Sequence, residues 1–348
     1  MINGRYNTEA TYRAIALDSY SSLKDFTLDR RKYRKKYILN ETVDEKDTVA
    51  SVVGRVVETL LFEADLFDDR FYLSACADAP TSLMLAFVEA LYDATKGATN
   101  EDGEITRTFE ELSREAYLAS GFKIKYEAVI SKFIGSDAEI YYNEICTVRS
   151  KGLTVVTADD VTNAEKIVDE LKSNFVTSEL FSLIDSDKYT ILKQFQIEGF
   201  EIDGHPLKGM VDYLIIDHKE KKFIPYDLKC TWSVENFYYE YYLHRLSYIQ
   251  AYLYKQACEK AKIDMGLSDY AVENLKFIVC DSINYYNPLI YTLDEQDMID
   301  AYEGFEYNGR KYKGVKQIIE ELKFALENGI WNMSKENYIN NGILKIKN

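Results

Sequence analysis

Leu207-Lys208-Gly209-Met210-Val211-Asp212-Tyr213-Leu214-Ile215-Ile216 and Phe223-Ile224-Pro225-Tyr226-Asp227-Leu228-Lys229-Cys230 are two apolar, β-forming runs. Between them lies only the polar segment Asp217-His218-Lys219-Glu220-Lys221-Lys222, so the stretch reads as a β-hairpin, although its turn lacks an Asn-Gly pair. A turn centred between Lys219 and Glu220 places Asp212 directly across the ladder from Asp227. Side-chain alternation then puts Asp227 and Lys229 on one face and turns Leu228 to the other. Directly opposed residues share a face, with Cβ atoms about 5 Å apart. Two carboxylates and an ammonium thus converge in the middle of a sheet.

Like charges set opposite one another are unfavourable, and aspartate is depleted from strands, so the arrangement calls for a compensating cation. A divalent metal ion supplies one. Asp212 and Asp227 would be its ligands, with the backbone carbonyl of Leu228 as a third. Lys229 would orient or deprotonate an attacking water and offset charge on a phosphate undergoing hydrolysis. The alternative is a shifted register, in which the pair never meets and the face is an ordinary exposed one.

Outward from the hairpin, Tyr189 to Ile202 alternates like a strand, and Leu275 to Asp281 and Leu289 to Leu293 read as further strands. Tyr239 to Lys262 has helical spacing, as does Val315 to Asn328. Upstream the texture is helical. Thr48 to Asp65 lines up Val53, Val56, Val57, Leu60 and Leu61 on one stripe, with Gly54 and Glu58 on its flank. Leu83 to Tyr92, Phe109 to Leu118 and Val161 to Phe175 continue the pattern, the last behind the N-cap candidates of Thr157 to Asp160. The expected fold class is α/β: a central mixed sheet flanked by helices, plus a mostly helical N-terminal half. The expected organisation is one domain over 1–348, with a helical part to 185, the sheet and its helix over 186–300, and a helical part from 301.

Composition narrows the function. The 348 residues carry 42 Lys+Arg against 58 Asp+Glu, a formal charge of −16. That balance ordinarily speaks against nucleic acid, yet residues 29–37 hold six cations, among them Arg30, Arg31, Lys35 and Lys36, interleaved with Tyr33 and Tyr37. The run is either a solvated helix face or a phosphate-tracking patch. Five scattered cysteines without a C-x-x-C pair exclude a disulfide framework and leave no ligand set for an iron–sulfur cluster. Three dispersed histidines leave carboxylates as the main metal donors, which favours Mg²⁺ or Mn²⁺. No apolar stretch approaches the ~20 residues of a membrane span, and residues 1–20 lack the apolar core of a secretory signal, so a cytoplasmic protein with no membrane partner is expected.

Gly209-Met210-Val211-Asp212 followed by Tyr226-Asp227-Leu228-Lys229 resembles the D…(D/E)-x-K signature of the PD-(D/E)XK nuclease superfamily. Gln250-Ala251-Tyr252-Leu253-Tyr254 is similar to the Q-x-x-x-Y motif of its RecB-like branch, which includes lambda-type and RecE-type phage exonucleases. Gly54-Arg55-Val56-Val57-Glu58 resembles that branch's G-x-x-x-(H/E) helix. The likeness extends to Ser21-Ser22-Leu23-Lys24-Asp25-Phe26 and to Leu66 through Phe71, and covers about three quarters of the chain, 76–150 being least similar. The chain departs from the commoner pattern in Asp227 where Glu is usual, in Glu58 where His is frequent, and in Cys230 where Thr often follows the lysine.

The resemblance implies a restriction-endonuclease-like core and a Mg²⁺-dependent deoxyribonuclease, with Mn²⁺ able to substitute, acting on duplex DNA ends in phage-type recombination. It implies Glu58 as a further catalytic and metal-binding group, and Gln250 and Tyr254 as supporting or DNA-contacting residues. A homo-oligomeric ring, a single-strand annealing protein as partner, and the host cytoplasm as location for a phage-encoded chain follow from it as expectations. A structure-specific or nicking endonuclease on the same core, or a catalytically silent DNA-binding or assembly protein, are the alternatives. No G-x-x-x-x-G-K-[ST] phosphate loop supports a helicase-linked nuclease.

Overall fold

The structure, a computed structural model, describes residues 9–41, 48–76, 80–100, 102–285 and 287–343. The chain forms two compact units, one of residues 1–47 with 169–348 and one of residues 48–168. These boundaries differ from the expected division of a single domain at 185 and 300. Among the described residues no helix is long and apolar enough to cross a membrane.

The larger unit is built on a mixed six-stranded sheet: β1 (Tyr189–Ile202), β2 (His205–Asp217), β3 (Lys222–Thr231), β4 (Ala271–Val272), β5 (Lys276–Asp281) and β6 (Leu289–Tyr291). The order is β1-β2-β3-β5-β6, and β4 pairs with the start of β3. β1 to β3 form an antiparallel meander. β3 then changes partner, running parallel to β5 from Tyr226↔Lys276 to Thr231↔Asp281. The return from β3 to β5 needs a crossover, which the helix Ser247–Asp264 supplies.

Four helices matter below: α1 (Tyr20–Leu28), α2 (Val49–Phe62), α3 (Ser247–Asp264) and α4 (Val315–Asn328). α3 lays Ile249, Leu253, Ala257 and Cys258 into the core beside Leu207, Val211, Leu214 and Phe277 of the sheet, and α1 adds Leu23 and Phe26. α4 buries Ile318, Ile319 and Leu322 in the same core. Its N-cap is Gly314, where any Cβ would collide with the carbonyl of Tyr302, so only glycine fits.

Two expectations are corrected here. The helix read over Tyr239 to Lys262 is broken: Tyr238–His244 is a π-helix, and Leu246, at φ 58°, turns the chain before α3 begins. The region from 301 is not wholly helical either, since Gly304–Tyr307 and Arg310–Lys313 pair as an antiparallel hairpin. Asn308 and Gly309 at its tip both have positive φ, 50° and 73°, the pair of angles that an Asn-Gly turn accommodates.

The smaller unit is mostly helical. It comprises α2, the helices Ser82–Gly97, Phe109–Ser120, Tyr126–Phe133 and Asp137–Val148, and a short parallel pair, Phe71–Leu73 with Thr154–Val156. Thr48 caps α2 by accepting from Ser51 N–H, and the stripe Val53, Val56, Val57 and Leu61 is buried as its spacing requires.

Candidate active site

The β2–β3 hairpin adopts the register read from the sequence, from Asp217↔Lys222 back to Tyr213↔Tyr226. Asp212 and Asp227 come at the next rung, where the ladder stops. There Asp212 Oδ2 accepts the Leu228 N–H at 2.8 Å, so a side chain takes the place of a backbone partner. The strands part just where the carboxylates need room, while β3 remains held by β5 through Asp227↔Phe277 and Lys229↔Val279.

Asp227 is 1% exposed. Its Oδ1 accepts from Gln250 Nε2 at 2.5 Å, and its Oδ2 forms an ion pair with Lys229 Nζ. Burial works to lower the Lys229 pKa, but the carboxylates of Asp227 and Asp212 outweigh it and raise the group above its ordinary value. Lys229 is therefore held as a charged ammonium beside the two acids. Tyr254, one turn beyond Gln250 on α3, is buried beside the same two acids. Burial, then Asp227 and Asp212, push its phenol well above the usual range, so it stays a neutral hydroxyl.

The structure thus brings Asp212, Asp227, Leu228, Lys229, Gln250 and Tyr254 together in the larger unit. Glu58 lies half-buried on α2, in the smaller unit. The basic run divides. Arg30 stacks over the Phe26 ring at 4.8 Å, donates to the Met333 carbonyl at 3.1 Å and pairs with Glu321. Lys36 lies 3.6 Å from Asp25, which also takes Lys32 at 2.9 Å. Arg31, Arg34 and Lys35 are exposed.

Two neighbours of this site, Tyr20 and Lys24, have no assignment from the sequence, whereas Arg245, like His244, reads there as a candidate phosphate contact from its place at the start of the helix. The Tyr20 hydroxyl, on α1, donates to the Arg245 carbonyl at 2.6 Å. Burial raises its pKa; Lys229 and Arg245 oppose that rise and Asp227 adds to it, so the ring borders the charged cluster. Lys24, one turn further on, lies 5.2 Å over the Tyr20 ring. Its pKa is lowered by burial and by Lys229 and Arg245, against the pull of Asp25. Lys24, Lys229 and Arg245 are therefore three cations within electrostatic reach, beside two carboxylates. The only signal for Lys24 in the sequence was its place in the Ser21 to Phe26 stretch; nothing in that stretch says that α1 reaches the sheet.

Among the described residues no group of three or more His, Cys, Asp or Glu side chains is arranged to hold a metal. Two carboxylates nevertheless suit a hard ion such as Mg²⁺, which keeps several waters and takes one or two protein carboxylates. The donor set is all oxygen, with no soft ligand from the buried Cys258 or Cys280. The residues present fit such an ion.

No family model matches the chain, and no curated protein does. Among solved structures it is similar to a crystal structure described as "Putative exonuclease" from Eubacterium rectale, with a TM-score of 0.47 and 13% identity over 98% of this chain and 95% of that one.

Proposed function

We propose that the chain is a metal-dependent deoxyribonuclease of the PD-(D/E)XK type that hydrolyses phosphodiester bonds from duplex DNA ends. The observation that carries this reading is the meeting of Asp212, Asp227 and Lys229 at the point where β2 and β3 part, with Gln250 fixing the Asp227 carboxylate. A bound Mg²⁺, held by Asp212 and Asp227, with the Leu228 carbonyl as a third donor, would supply an activated water and offset phosphate charge.

The protein's own groups do the rest. Gln250 holds Asp227 in one rotamer. The Leu228 N–H does the same for Asp212. Lys229, kept charged by both acids, positions the attacking water by hydrogen bonding and stabilises the negative charge that builds on the phosphate oxygens. Lys24 and Arg245 add positive potential for the phosphates on either side, in a chain whose net charge of −16 repels DNA elsewhere. Tyr254 stays a neutral donor, so it adds no charge to a site already rich in carboxylate.

The test is digestion of end-labelled linear duplex and of closed circular plasmid with Mg²⁺, Mn²⁺ or EDTA. Degradation of the linear form alone, dependent on the ion, supports the reading; equal cutting of closed circles would make the enzyme an endonuclease. No cutting under any condition would leave a binding protein. Glu58→Gln in the same assay tests the remaining acidic group.

A further inference from the structure

Gln194 lies in the interior of β1 with φ 48°, the left-handed region that favours glycine, and is 4% exposed. Left-handed backbone inside a strand is uncommon for any residue with a side chain, and glutamine lacks the short polar group that lets asparagine and aspartate tolerate it. The rungs on either side are Lys193↔Tyr213 and Phe195↔Val211, so Gln194 stands opposite Asp212.

The strand changes phase there. On β1 the residues facing the common core are Leu192, then Phe195 and Ile197; on β2 they are Leu207 and Val211, then Leu214 and Ile216. Regular alternation cannot bring both members of each set to one face, since Leu192 and Phe195, like Val211 and Leu214, are an odd number of residues apart. The inversion falls on the same rung of both strands, and that rung holds Asp212.

We infer that Gln194 is a positioning residue for the Asp212 carboxylate: its left-handed backbone kinks β1, and β2 follows the kink so that Asp212 leaves the regular alternation and reaches the Leu228 N–H. Strain of this kind persists where the surrounding structure over-determines it, and such outliers concentrate at functional sites. Here the surroundings are the two apolar sets that must share one core, and the beneficiary is the residue at the phase change. The inference rests on the proposed metal site and deepens it by naming the residue that shapes it.

The experiment compares the full chain with Gln194→Gly, Gln194→Asn, Gln194→Val and Asp212→Asn. Mn²⁺ binding is measured by calorimetry, with the Mg²⁺-induced shift in melting temperature as a second readout. Glycine and asparagine accept a positive φ, whereas a β-branched valine resists it and favours regular strand. The expected result is Mn²⁺ affinity within about threefold of the parent for the glycine and asparagine variants, and a loss of tenfold or more for valine. The valine variant should keep the parental far-ultraviolet circular dichroism.

Parental Mn²⁺ affinity in Gln194→Val would overturn the inference while leaving the nuclease reading intact. Equal losses in the glycine and valine variants would also overturn it, since the side chain and not the backbone would then matter. Should valine prevent folding, Gln194→Ala, which also disfavours a positive φ but carries no branched bulk, takes its place, and parental Mn²⁺ affinity in it overturns the inference. A parent that binds no Mn²⁺ and cuts no DNA would remove both readings.

Discussion

Replacing Lys229 with methionine keeps the length of the side chain and removes its charge. In the parent, Asp227 is 1% exposed and relies on Lys229 at Oδ2 and Gln250 at Oδ1. Lys229→Met leaves a buried carboxylate with one neutral donor. Breaking a buried ion pair from one side costs about 3–5 kcal/mol, and the lower end applies here because the lysine side chain is 18% exposed. At roughly 2–4 °C per kcal/mol for a unit of this size, the melting temperature in EDTA should fall by about 6–12 °C.

Magnesium should then have the opposite effect on the two proteins' ranking. On the proposed reading, Lys229 and a metal ion would compete for the same carboxylate in the parent. The variant offers that carboxylate freely, so Mg²⁺ should stabilise it more than it stabilises the parent, the variant gaining about 2.7 kcal/mol over its metal-free state at a hundredfold excess over its own Kd. Turnover should nevertheless collapse, because no ammonium remains to place the water. The assay is thermal melting in EDTA and across Mg²⁺ concentrations, beside digestion of linear duplex. An unchanged melting temperature in EDTA, or a smaller Mg²⁺ effect than in the parent, would refute the reasoning.

Asp212→Asn keeps an oxygen to accept the Leu228 N–H and removes one of two facing charges, so its melting temperature in EDTA should match or exceed the parent's while its Mg²⁺ shift shrinks, both read by the same melting series. Asp18 is 2.9 Å from His205 Nε2, 2.7 Å from Ser22 Oγ and 2.9 Å from Tyr33 OH; burial raises its pKa, but these donors outweigh burial and lower it. Its contribution is thus present above the unfolded-state value of about 3.9 and lost as pH falls through the lower folded value; Asp18→Asn should cost stability at pH 6 and lessen its fall on acidification, measured by urea unfolding from pH 6 to 2. Converting the exposed Arg31, Arg34 and Lys35 to Gln should leave the free energy of urea unfolding within about 0.5 kcal/mol of the parent and reduce the salt slope of DNA binding by up to about 1 per lost phosphate contact. Arg30→Gln should instead lower stability by about 1–3 kcal/mol, because the Met333 carbonyl loses its charged donor and Glu321 keeps only Lys313 as a cationic partner.

The hairpin register was legible because two apolar runs and one short polar break leave little choice: a slip of one residue would turn Ile215 and Ile224 to the wrong face. The same pattern logic recovered β1 from Tyr189 to Ile202 and α4 from Val315 to Asn328. It failed where local backbone breaks the period. The helix read from Tyr239 is interrupted by Leu246 in a left-handed conformation, which no local propensity of leucine announces. The hairpin after 304 carried a usable signal, Asn308-Gly309, flanked by Phe305 and Tyr307 on one side and Tyr312 on the other, but four-residue strands are too short for alternation to outweigh neighbouring helices.

The candidate site divides along the same line. Asp227 and Lys229 could be placed from alternation along β3 and Asp212 opposite Asp227 from the hairpin register, with Gln250 from helical spacing together with the motif resemblance. Tyr20 and Lys24 could not, because what brings α1 to the sheet is the burial of Leu23 and Phe26 in a core shared with β2 and α3, a tertiary fact with no local trace. Gln194 is the sharpest case. Simple alternation along β2 gives a tidy face for Asp212 and hides the phase change, yet that alternation, applied strictly, cannot bury both Val211 and Leu214 against one helix layer. The contradiction was already present in the spacing of the apolar residues. A strand whose core residues change parity carries a local irregularity at the change, and in β2 that change falls at Asp212.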